Sequence, residues 1–294
     1  MRTIEYLFTP ELASTYWAIV VAGLAIAVFA GALSVLVVVK RLAFIGQGVS
    51  HAAFGGVGLA YLIGVGAGSD LGGRFALLGV LLAFSLAAAL GIAWLGERSG
   101  ARTDTAIGIV LAVSMALGFV LLREAGARAA ATGSPAPPAI EGVLFGSVVT
   151  VTWLDAWIAV GTAALLLGAM FLARRPMLFW AFDERVCEAF GAPGAKMKIL
   201  LLCLLAIAVV VTVKLAGVVL ATALFVLPGA ISLRLADRLW VVIGVSIVAA
   251  VVGVLGGLVI SFESNLQVGP GVVLALAAMY ALSMLTGVGT RRLA

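Results

Sequence analysis

The chain of 294 residues is 64% hydrophobic and 11% charged, with a formal net charge of +5 and a mean hydropathy of +1.26. Soluble domains are about half apolar and about a quarter charged, so this composition excludes a soluble domain carrying a single anchor. The basic residues are dispersed through short segments rather than gathered in a patch, which points to membrane topology and away from nucleic acid.

Apolar runs of bilayer length recur from end to end. Lipid offers the backbone no hydrogen bonds, so spanning segments must be helices or a closed barrel. The runs are continuous rather than alternating, which selects helices. The predicted fold class is an all-α polytopic membrane protein with one transmembrane domain over 1–294. The opening "MRTIEYLFTPELASTYW" carries one arginine, two glutamates and a proline before its first apolar run, and is not expected to be a cleavable signal. Spans are predicted at 17–39, 44–64, 75–95, 104–122, 153–173, 198–213, 216–233, 239–260 and 271–288. That makes nine; the sixth and seventh are short and close together around Lys214, so eight also fits. With the N-terminus outside, thirteen of the eighteen lysines and arginines fall on inner segments, and Arg2, Arg74, Arg123, Arg128 and Lys214 fall on outer ones.

The second span contains "FIGQGVSHAAFGG" (44–56) and the only histidine, His51. Gln47 lies four residues earlier, so the two side chains are neighbours on one helix face, with Ser50 beside them. Gly46, Gly48, Ala52, Ala53, Gly55, Gly56 and Gly58 surround them, and small residues let helices approach closely. Two readings stay open: a histidine hydrogen-bonded between packed helices, or a polar pair lining a pathway. Asp104 and Asp155 read as helix-start residues, and Lys214 as a side chain that snorkels outward.

Two connections are longer than turns. The outer one, "REAGARAAATGSPAPPAIEG" (123–142), reads as a flexible, solvated linker. The inner one, "RRPMLFWAFDERVCEAFGAPGAKMK" (174–198), mixes aromatic and charged residues. Phe182, Val186, Ala189 and Phe190 recur there at helical spacing. Asp183 and Glu184 open that short helix, where the dipole favours them; Gly191 and Pro193 close it. Such a helix suits either the lipid interface or a groove on another protein. Cys187 lies in it and Cys203 beyond; with no CxxC spacing, both read as free thiols. In the seventh span, Pro228–Gly229 predicts a kink or break, of the kind that lines cavities or simply adjusts packing. There is no GxxxxGK[ST] loop and no nucleophile–base constellation. The chain is not expected to be an enzyme, and any ATPase that drives it is another chain.

Six segments together resemble the membrane permeases of ATP-binding-cassette importers for manganese, zinc and iron. "RLAFIGQGVSHAAFGG" is similar to the family's hallmark, basic residues followed by Gly-Asp-x-x-Ser-His-Ala. "TDTAIGIV" (103–110) resembles the opening of its fourth span, and "LFGSVVTVTWLD" (144–155) the outer segment before its fifth. "FDERVCEAFGAP" (182–193) looks like its cytoplasmic coupling element. "KLAGVVLATALFVLPGAISLRLADRL" (214–239) is similar to its proline-containing hairpin, and "SFESNLQVGPG" (261–271) to the loop before its last span.

The resemblance implies a type II ABC importer permease, paired as a homodimer or with a similar chain in a prokaryotic plasma membrane. It implies two ATPase subunits, which bind the ATP, and an extracytoplasmic metal-binding protein. No cofactor is implied as permanently bound; the divalent metal is cargo. His51, with Gln47 and Ser50, would lie on the metal pathway. Asp183, Glu184, Arg185, Glu188, Phe190 and Gly191 would form the ATPase contact. One departure stands out: Gln47 occupies the position of the family's aspartate and offers a neutral carbonyl oxygen in place of a negative ligand. The alternative cargo is a metal chelate of siderophore or cobalamin type, carried by the same architecture. An ion-coupled secondary carrier fits less well, because no Asp or Glu lies deep in any span.

Overall fold

The computed structural model describes residues 10–66, 71–98, 103–145, 151–182, 194–264 and 266–285. Eleven helices occur among them, and no strand. They are α1 (Pro10–Val39), α2 (Ala43–Leu62), α3 (Leu71–Arg98), α4 (Thr103–Thr132), α5 (Ile140–Phe145) and α6 (Trp153–Leu172) in the first half. The second half adds α7 (Arg174–Phe182), α8 (Gly194–Leu224), α9 (Leu227–Leu235), α10 (Leu239–Ser264) and α11 (Val268–Leu285).

Among the described residues, seven segments are long and apolar enough to cross a membrane. The predicted nine crossings differ from these seven at two places, each with a physical reason. Helix α2 has 20 residues, enough to span, but Gln47, Ser50, His51 and five glycines lower its hydropathy. The second place is the 42-residue stretch Gly194–Leu235, about 63 Å if continuous, twice the bilayer core. Gly217 divides it, with φ 83 and ψ 167. Nine crossings result when α2 and both parts of this stretch are included.

The sequence-derived orientation predicts which residues share an end of the bundle, and the packing groups them accordingly. At the end expected to be outer, Lys214 Nζ lies 2.9 Å and Arg74 Nη1 3.6 Å from the Asp155 carboxylate. At the end expected to be inner, Lys40 Nζ sits 4.2 Å above the Trp180 ring. Five of the six tryptophans are exposed near helix ends: Trp17, Trp153 and Trp157 at the outer end, Trp94 and Trp240 at the inner. This is the placement expected of amphipathic rings at a lipid–water interface.

Burial separates the helices into centre and rim. Helices α1, α2 and α8 are largely buried, whereas α3, α4, α6, α10 and α11 bury one stripe each. Their outward faces are apolar, including Val113, Leu117 and Val120 on α4 and Val248, Val252 and Val259 on α10, a pattern suited to lipid and not to water. Small residues bring the backbones together. A Cβ on Gly31 would lie 2.8 Å from Ile247 Cα, and one on Gly257 would overlap Val272 Cα. Ser246 Oγ donates to Gly31 O at 2.7 Å, adding an interhelical hydrogen bond between α10 and α1.

Helix α4 differs from its expected length. It continues to Thr132, so the first half of the 123–142 linker is helical. Ala125, Ala127, Ala129, Ala130 and Ala131 give this stretch high helix propensity. At about 45 Å, the 30-residue helix outreaches a bilayer core of about 30 Å. Gly133, at φ 68, turns the chain out of it. A second difference is α7, a helix inside the inner connection that no periodicity in 174–181 announces.

Candidate functional site

Helix α2 holds Gln47, Ser50 and His51 among three neighbours: α4, α3 and α8. Its glycines decide how close these come. A Cβ on Gly48 would meet Ile92 of α3 and Ile107 of α4 at 3.1 and 3.2 Å. One on Gly58 would meet Leu121 Cβ at 2.9 Å and Gly118 O at 3.0 Å, and one on Gly55 would meet Ser114 O at 3.1 Å. Phe54 packs into the space left by Gly118. The backbones of α2 and α4 therefore cross near contact distance, and larger side chains at these positions would force them apart.

At that crossing His51 is half-buried, and its Nδ1 lies 3.1 Å from Met115 Sδ on α4. Gln47 is also half-buried, one turn toward the inner end on the same face. Ser50 is fully buried and its hydroxyl donates to Gln47 O at 2.9 Å. Its hydrogen is thus spent on its own helix, as serines in apolar helices often do. The structure brings Gln47 and His51 to one face and turns Ser50 toward the packed interior. Among the described residues, no group of three or more His, Cys, Asp or Glu side chains could hold a metal.

The proline-bearing break lies elsewhere. The chain leaves helical geometry at Phe225–Val226, and Pro228 falls in the first turn of α9. There its missing N–H costs nothing. The predicted break is present, with proline starting the new helix. Ser34 of α1 serves the groups freed by it: its hydroxyl oxygen accepts from Gly229 N–H and its hydrogen points to Val226 O at 3.5 Å. A Cβ on Gly229 would collide with Ser34. Helix α9 packs on α1, α10 and α11, so Pro228 and Gly229 belong to a different part of the bundle from the Gln47–His51 face.

The third polar constellation lies at the end expected to be outer. Thr152 caps α6: its backbone N–H donates to Asp155 Oδ2 at 3.1 Å, and Asp155 N–H donates to Thr152 Oγ1 at 3.5 Å. Asp155 is the helix-start residue that the sequence suggests, and it does more. Lys214 donates to its Oδ1 at 2.9 Å, and Arg74 donates to Thr152 Oγ1 at 2.9 Å. Three helices, α3, α6 and α8, are tied through one carboxylate. Lys214 is therefore paired rather than simply reaching for solvent.

The predicted coupling residues Asp183, Glu184, Arg185, Glu188, Phe190 and Gly191 lie outside the described residues, as does Cys187. Helix α7 leads to them; it is anchored by buried Met177 and by Trp180 beneath Lys40. Cys203, on α8, is a free thiol. Sequence reasoning missed Met115, Ser34 and Arg74 as partners. Met115 and Ser34 sit in unbroken apolar runs, where one methionine or serine carries no mark.

Comparison with known proteins extends over nearly the whole chain. A manganese transport system membrane protein of Halalkalibacterium halodurans is 28% identical across 96% of this chain and 91% of its own. A manganese import system permease protein of Streptococcus parasanguinis is 27% identical across 90% and 87%. The solved structure of PsaBC from Streptococcus pneumoniae in complex with Fab superposes with a TM-score of 0.79 at 25% identity, covering 96% of this chain and 94% of that one. The model of the ABC 3 transport family matches residues 13–287, and the chain belongs to that family.

Proposed function

We infer that this chain is the membrane permease subunit of an ATP-driven importer, and that its cargo is a divalent transition metal: manganese, zinc or iron. The observation that carries the reading is the family match over 13–287, joined by relatives named for manganese transport over most of their length. In this reading two copies of the chain, or this chain and a similar one, pair in a prokaryotic plasma membrane. Two ATPase subunits bind on the inner side, and an extracytoplasmic protein delivers the metal outside.

His51 is the transient ligand on the path and Gln47 its neutral companion, one turn away. Imidazole suits first-row metals, and neutral donors release a cation more readily than a carboxylate cage does. The polar face sits on α2, a buried helix packed by glycines, where an ionisable side chain is costly unless it is used. Ser50 shapes the helix beneath the pair. On the inner side, 182–193 is the coupling element: Asp183, Glu184, Arg185, Glu188, Phe190 and Gly191 meet an ATPase groove and transmit its closure.

The test is metal accumulation in metal-starved cells that express the chain with its ATPase and binding protein. Manganese, zinc, iron and cobalt are compared for the native chain and His51→Ala. Accumulation of one metal that requires ATPase activity and is lost in the variant supports the reading. No accumulation of any free metal by a complex that still hydrolyses ATP contradicts it and favours a chelate as cargo.

A further inference from the structure

We propose that Met115 is a second, soft ligand on the metal path, and that the His51–Met115 pair biases transport toward zinc-like cations and against manganese. This rests on the import reading above and deepens it at the same site.

The crossing of α2 and α4 is what makes the pair. Gly55, Gly58 and Gly118 let the two backbones meet, and this brings the tips of His51 and Met115 to 3.1 Å, Nδ1 to Sδ. A cation bonded to one imidazole nitrogen and one sulfur at usual bond lengths, in a tetrahedral arrangement, holds those atoms about 3.5 Å apart. A few tenths of an ångström separate the two geometries. Methionine supplies that through its three flexible side-chain bonds.

The chemistry of the donors sets the preference. Helix α2 carries no acidic residue, and α4 carries none between Asp104 and Glu124. The donors at the crossing are thus an imidazole, a thioether and, one turn away, the amide oxygen of Gln47. All are neutral. Manganese(II) lies lowest in the affinity order of the first-row divalent ions and favours carboxylate and carbonyl oxygen; thioether and imidazole favour softer ions. Without a negative charge to offset desolvation, a hard cation gains little here. A softer one recovers more through its bonds to sulfur and nitrogen.

The N–H···S contact alone would also satisfy the histidine, so the test must separate packing from ligation. The assembled transporter is given zinc and manganese together, with cadmium as a soft probe, and the ratio of ions accumulated is measured for three chains. Met115→Leu keeps the volume and removes the sulfur. Its zinc-to-manganese ratio is expected to fall about tenfold, the scale on which groups around a metal tune affinity, and cadmium is expected to lose its competition. Met115→Glu supplies a hard charged ligand and should move the ratio further toward manganese; it carries the test if the leucine variant inserts poorly. Ratios unchanged from native in both variants overturn the role of Met115 while leaving import intact. A native complex that accumulates no metal overturns the import reading itself, and this inference with it.

Discussion

A single carboxylate, Asp155, does the work of three contacts. Asp155 completes the cap of α6 and neutralises Lys214 from a nearly enclosed position, with Arg74 as a second, looser cation. Removing one partner of an enclosed pair leaves a charge without compensation, which costs more than the pair itself contributes. Asp155→Asn is expected to destabilise the protein by about 2 kcal/mol, read as a lower melting temperature of the purified chain in detergent. Adding Lys214→Met to that variant should cost far less than Lys214→Met costs alone, because the two residues are coupled. Equal cost in both backgrounds would show that the bond contributes nothing. At this scale the sequence was legible where a residue type is rare. One histidine, with glutamine four residues before it, marks a face of α2, and the structure places both side chains on it, half-buried. Met115 did not, because a methionine in an apolar run looks like every other lipid-facing or core side chain until a helix crossing puts it beside an imidazole.

At the scale of the element, the two breaks between Gly194 and Leu235 have different causes. At Phe225–Val226 the sequence announces the break through Pro228, and Ser34 of a distant helix satisfies the freed backbone. At Gly217 the backbone takes φ 83 and ψ 167, a region that residues with a Cβ essentially never enter. Gly217→Ala is expected to cost about 1–3 kcal/mol and to lower the yield of monodisperse protein. Gly244→Ala, on an open helical face, should leave yield unchanged or raise it slightly, since alanine is the better helix former. Similar losses in both variants would argue against backbone strain as the cause. Span boundaries near Lys214 fell within a few residues of the Gly217 turn, because hydropathy dips there. The reach of α4 through 123–132 was not legible: alanine and glycine read as linker by composition, whereas a helix already under way continues through alanines at little cost.

Over the whole molecule, hydropathy and the dispersal of basic residues carry most of the fold, because lipid allows few architectures and the charges orient them. They also hide one helix. The central α2 falls below the hydropathy of the other crossing segments because it carries Gln47, Ser50, His51 and five glycines. The bundle has two ends with different tasks under the proposed function. The outer end is held by Asp155, Lys214 and Arg74; the inner end runs through α7 into the coupling element. Glu188→Ala and Phe190→Ala are each expected to reduce transport severalfold while membrane insertion, measured by yield in the membrane fraction, stays at the native level. Native transport in both variants would remove the coupling role from 182–193.

Under the proposed function, ATP drives a metal ion past His51. The most direct measurement uses vesicles reconstituted with the chain and its ATPase, with ATP supplied on the ATPase side and metal-loaded binding protein on the other. Metal is expected to cross only when ATP is hydrolysed, and His51→Ala is expected to abolish the flux while the complex still assembles. Metal flux that continues without ATP, or that is undiminished in His51→Ala, would contradict that function.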